Sequence, residues 1–220
     1  MAHSFVPRLD GRYMCRLDAE ERAVVCQVAS EILQLVRADL GMNPDPGGPI
    51  TQQALTSDDP LERLEAEQAA HALGRAPRDG AMRRLLPDAF PGDEKASDDF
   101  RRLSQTGLAN SIVETLSTVI AAITAHGLSD VEDELIIDRE QADHFLRALT
   151  TIRLVLADRM SLKNDGDYEA LQLLRSNDIG QEDAEEKDGQ VSVDFLLSLY
   201  DFLTWLQESL VLAMSTSFDR

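Results

Sequence analysis

Few side chains in this sequence have the types and spacing that chemistry requires. The four histidines, His3, His71, His126 and His144, are scattered. Glu140 and His144 stand four residues apart, about one helical turn, and could supply two metal ligands. A metal site needs three or four converging ligands, so a solvated pair on a polar helix face is the stronger reading. The signatures GxGxxG, GxSxG, HExxH and the P-loop do not occur. No catalytic residue, cofactor or metal is therefore expected.

Cys15 and Cys26 form the one candidate redox pair. Their spacing matches neither CxxC nor a zinc site. A disulfide needs Cα atoms within about 7 Å, which a strand folded back on a helix could allow. The alternative is two buried thiols acting as small hydrophobes. Arg153 lies among Leu146, Leu149 and Leu156 on a helical projection, inside an apolar face. A buried guanidinium calls for a carboxylate, so Arg153 is a candidate buried ion pair with Glu21, Asp201 or Glu208. Arg83, Arg84, Arg101 and Arg102 form a candidate interaction patch for an acidic surface. Local neutralisation by Asp79, Asp88, Asp93, Asp98 and Asp99 is the competing reading.

These residues need a scaffold. The chain has 220 residues, of which 43% are hydrophobic, enough for a core. Its 21 basic and 40 acidic residues give a net charge of -19. Residues 1–110 hold 13 basic and 18 acidic groups, and residues 111–220 hold 8 and 22. Such acidity argues against direct nucleic-acid binding and against docking on an anionic membrane. No secretory signal is visible at the start, and Asp201, Gln207 and Glu208 interrupt the longest apolar stretch, Phe195–Met214. A cytoplasmic location is expected.

The pattern predicts one mainly α domain over 1–220, a helical bundle with a short N-terminal β-hairpin at 5–17. Asp10-Gly11 would form the hairpin's two-residue turn. Helices are expected at about 19–40, 60–73, 93–126, 139–160 and 193–215, with a further short helix near 167–175 and a short strand at 134–137. Asp18 with Glu21, and Asp138 with Gln141, have capping-box spacing. Flexible segments are expected at 42–56, rich in Pro and Gly, and at 176–190, rich in acid.

Three segments together resemble a known family. RRLLPDAFPGDEKASDDFRRL (83–103), LTTIRLVLADRM (149–160) and LYDFLTWLQESLVLAM (199–214) match, in order and spacing, blocks of an actinobacterial family of unknown function that includes the AosR-type oxidative-stress transcriptional regulators. This chain has LTT where the family block commonly has LND, and Phe202 where it often has Trp. The resemblance implies a non-enzymatic regulator acting by protein–protein contact, with a sigma factor or RNA polymerase as partner and a cysteine pair as sensor. The family's gene neighbourhood suggests an alternative, an adaptor or accessory protein in proteolysis or sulfur metabolism. A pocket between helices would be the route to any small-molecule role. The apolar helix set leaves a homodimer open.

Overall fold

The computed structural model describes residues 3–40, 58–61, 63, 75–126, 133–178 and 192–216. The expected flexible segment at 42–56, most of the expected helix at 60–73 and residues 179–190 of the expected flexible segment 176–190 lie outside these, whereas 176–178 of that segment continue a helix. The described residues 60, 61 and 63 are helical, and the Asp59 carboxylate accepts from the Leu61 N–H at 2.8 Å, as an N-cap does.

Strand β1 (His3–Pro7) and strand β2 (Tyr13–Arg16) form the expected antiparallel hairpin. Its loop differs from the expected two-residue turn. The Arg8 N–H donates to the Arg12 carbonyl at 2.8 Å, closing a three-residue loop over Leu9, Asp10 and Gly11. Gly11 takes φ of 79°, which is the left-handed residue that such loops require. Asp10 caps the turn through the Arg12 backbone and guanidinium.

Helix α1 (Ala19–Leu40) follows. The Glu21 N–H donates to Asp18 and the Asp18 N–H to Glu21, each at 2.9 Å, completing the capping box. Val25, Ala29, Ile32, Val36 and Leu40 are its buried stripe, at helical spacing. Helix α2 (Gly80–Leu85) is short and capped by Asp79. Helix α3 (Glu94–His126) runs unbroken through Gly107. Residues 94–125 contain a window apolar enough to cross a membrane by length and composition. Core helices pass the same test, and here Leu116, Val119 and Ile123 are buried, with α3 lying against α1.

Strand β3 (Glu134–Ile137) adds to β2 in antiparallel register, Tyr13 opposite Ile137 and Cys15 opposite Leu135. The sheet order is β1-β2-β3. The sequence suggests β3 but says nothing of its pairing with the hairpin. Helix α4 (Arg139–Arg159) starts at the Asp138–Gln141 capping box. It is the central helix, touching α1, α2, α3 and the last helix. Phe145, Leu149 and Ile152 are at most 1% exposed, each contributing about 2 kcal/mol on burial. Helix α5 (Asp165–Asp178) and helix α6 (Val193–Thr216) complete the bundle. The Phe5 ring meets Phe145 edge-on, with centroids 6.3 Å apart, and the Phe5 N–H donates to Ser209 Oγ on α6 at 3.1 Å. The outer edge of β1 is thereby tied to α6.

Candidate functional site

Polar side chains converge in a cleft of about 560 Å³ between α4, α5 and α6. Arg153 comes from α4, Lys163 from the turn after it, Tyr168 and Gln172 from α5, and Tyr200 from α6. The turn is a Schellman ending. The Leu162 N–H donates to the Ala157 carbonyl at 2.8 Å and the Ser161 N–H to the Asp158 carbonyl at 2.9 Å. Ser161 occupies the left-handed position at φ 58° that glycine usually fills. Leu162 is buried and its carbonyl accepts from Arg84 Nη2 at 2.6 Å. The backbone N–H groups of Lys163 and Asn164 donate to the Asp167 carboxylate, and they hold its pKa below the usual value.

Arg153 does not form the expected ion pair. Its Nη1 donates to Gln207 Oε1 at 2.8 Å and its Nη2 to the Tyr200 hydroxyl at 3.2 Å. Its Cζ lies 4.9 Å from the Tyr200 ring centroid, a cation–π distance. Its Nε is buried without a hydrogen-bond partner. The reason is helical phase. Tyr200 and Gln207, seven residues apart, face α4, while Asp201 and Glu208 each lie about 100° further round α6. Asp201 instead accepts from the Tyr168 hydroxyl at 2.5 Å. Burial first, then Asp201, pushes the Tyr168 phenol up to about 12. Glu21 caps α1.

The arginines at 83, 84, 101 and 102 do not form one surface. Arg84 Nε meets Asp158 at 3.2 Å, which fastens α2 to α4. Arg159 reinforces this joint by meeting Asp79 at 2.9 Å. Arg101 is buried and bonds both Asp88 and Asp98 at 2.6 Å. Arg102 pairs with Asp99. Arg83 donates from Nε to the Pro77 carbonyl. Arg101 also clamps the loop at 86–93 onto α3, aided by the buried Ser97, whose hydroxyl bonds both backbone groups of Phe90. Arg83 and Arg101 line a second cleft of about 450 Å³, where Asp88 and Asp98 already neutralise Arg101.

Cys15 and Cys26 are both free thiols. Cys15 points into the core from β2, 1% exposed. Burial, then the nearby Glu21 charge, drives its pKa far above the ordinary 9.0. Cys26 is half-buried on α1 beside Thr124 of α3, and burial raises its pKa as well. Both environments disfavour the thiolate, the species that reacts. Glu140 is exposed and His144 half-buried with an unpartnered Nδ1. Among the described residues no three His, Cys, Asp or Glu side chains are grouped to hold a metal.

A feature the sequence reading missed is the outer face of α6. Phe195 is 49%, Trp205 38% and Leu212 65% exposed. Phe202 stacks on Trp205 with centroids 6.2 Å apart. Asp194, Asp201 and Glu208, at seven-residue spacing, run beside them. The seven-residue recurrence of 195 with 202, and of 205 with 212, was readable but hidden in a helix apolar nearly all round.

No curated protein and no solved structure matches the chain. The model of a family described as a domain of unknown function (DUF2017) matches residues 2–214, nearly the full length. The chain belongs to that family, DUF2017.

Proposed function

We propose that this protein is a non-enzymatic cytoplasmic regulator that works by docking on another protein, with a sigma factor or RNA polymerase subunit as the partner. The observation that carries the reading is the outer face of α6. Large exposed apolar side chains in one row mark an interaction site more often than a solvated surface, and aromatic residues dominate binding energy where they bury. The adjoining Asp194, Asp201 and Glu208 favour a partner whose apolar groove is rimmed by Lys and Arg. The net charge of -19 would speed encounter with such a basic face. The choice of partner is supported by the resemblance to AosR-type regulators in the three blocks at 83–103, 149–160 and 199–214. The last block contains Phe202, Trp205, Glu208 and Leu212.

The test is affinity purification of the tagged full chain from its own host at low and high salt. Polymerase or sigma subunits should be recovered in salt-dependent amounts. The double variant Trp205→Ser, Leu212→Ser should lose them while melting within about 2–4 °C of wild type, as exposed substitutions do. Unchanged recovery from the double variant would overturn the docking face. Recovery of a protease or a sulfur carrier without polymerase would favour the adaptor reading instead.

A further inference from the structure

We propose that the cleft between α4, α5 and α6 is a binding site for a small organic anion, a carboxylate or phosphate-bearing metabolite, with Arg153 as its principal ligand. The cleft's size, about 560 Å³, falls in the range of small-molecule sites. In a chain with 40 acidic residues, Arg84, Arg101 and Arg159 each meet a carboxylate. Arg153 meets none within 4.0 Å among the described residues and is held only by Gln207 and Tyr200. A guanidinium has five N–H donors, and two are engaged here. A half-buried cation with a buried, unpartnered Nε has lost water without gaining a counter-charge. That cost is removed when an anion enters.

The surroundings complete the site. The Tyr200 hydroxyl accepts from Arg153, so its own proton is available to a ligand oxygen. Tyr168 donates to Asp201 and accepts from Gln172 at 2.6 Å, forming a fixed polar wall. Lys163 lines the cleft and has no carboxylate within 4.0 Å among the described residues, although its charge also acts on Asp167. Glu169 also lines it and opposes an anion, which limits affinity and selects against ligands that carry excess negative charge near α5. The site does not depend on the docking reading. It lies on the opposite side of α6 from Trp205, on the side of Tyr200 and Gln207.

The experiment is isothermal titration of the full chain with succinate and, separately, inorganic phosphate, at constant ionic strength. Succinate binding without phosphate binding would identify a carboxylate ligand, and the reverse a phosphate. Saturable binding should be weakened about tenfold or more in Arg153→Met, as expected on losing charge-assisted hydrogen bonds. Because Arg153→Met also alters packing, Lys163→Gln and Glu169→Gln, both of exposed side chains, serve as independent probes. Lys163→Gln should weaken binding severalfold and Glu169→Gln should tighten it. A merely structural Arg153 would produce neither change. Absence of saturable binding of both probes up to about 10 mM, beyond the millimolar range of weak ligands, would overturn the proposal. So would identical affinities for wild type, Lys163→Gln and Glu169→Gln.

Discussion

Removing the Cys15 thiol should produce a pH-dependent change in stability of known sign. Cys15 sits on β2 opposite Leu135, 1% exposed, and its thiol stays protonated far above the ordinary 9.0. In the unfolded chain the same thiol ionises near that ordinary value. Above it the unfolded state binds fewer protons than the folded state, so stability falls as pH rises. At pH 10, one unit above 9.0, the loss is RT ln 11, about 1.4 kcal/mol. Cys15→Ala abolishes this loss but leaves a small cavity costing roughly 1–2 kcal/mol. The variant should be the less stable protein at pH 7 by about that cavity cost, and the gap should nearly vanish at pH 10. Urea unfolding of both proteins at pH 7, 9 and 10 under reductant reads the difference directly. Groups common to both proteins, such as Tyr168, cancel in the comparison. A gap that stays constant from pH 7 to 10 would refute the placement of Cys15 in a desolvated core. The same environment predicts that mild peroxide at neutral pH leaves Cys15 reduced in the folded chain, shown by thiol counting before and after urea.

Ser161→Gly should raise stability by about 1 kcal/mol, because the left-handed turn then carries no Cβ penalty, and thermal melting would show a gain. Asp138→Ala removes the N-cap of α4 and half of its capping box, and should cost about 1 kcal/mol in urea unfolding. Gly80→Ala would place a Cβ 2.8 Å from Asp158 Oδ2. It should weaken the Arg84–Asp158 joint and lower stability by about 1 kcal/mol, and the effect should shrink in an Asp158→Ala background, where that joint is already gone.

The long helices were legible because their apolar residues repeat at helical period and their starts carry capping boxes, as at Asp18 and Asp138. Helix α2 was not, because Asp79-Gly80 reads as a turn until Asp79 is seen to cap a six-residue helix. The partner of β3 was invisible because strand pairing across more than a hundred residues leaves no local pattern. Arg153 stands out in the sequence as a cation on an apolar helix face, yet its partners, Gln207 and Tyr200 rather than a carboxylate, depend on the phase of α6, which a projection of α4 alone does not contain. The arginines at 83, 84, 101 and 102 looked like a patch because sequence proximity was the only measure. Folding sends Arg84 to Asp158 and buries Arg101. The cleft itself is assembled from three helices and a turn, so it has no signature in any one segment.

The bond from the Phe5 N–H to Ser209 spans 204 positions, and this orders events during synthesis. At about 5–20 residues per second, roughly 10 to 40 s separate the emergence of β1 from that of the helix that covers its edge. A two-stranded hairpin alone is marginal in water, and β2 must also wait for β3. Strand β1 is therefore made well before the helix that completes its neighbours. Until β3 pairs with β2, Cys15 lacks its cross-strand neighbour Leu135, and until α6 emerges the outer edge of β1 lacks its Ser209 partner, so the β1–β2 hairpin is a segment in which chaperone contact and thiol oxidation should concentrate.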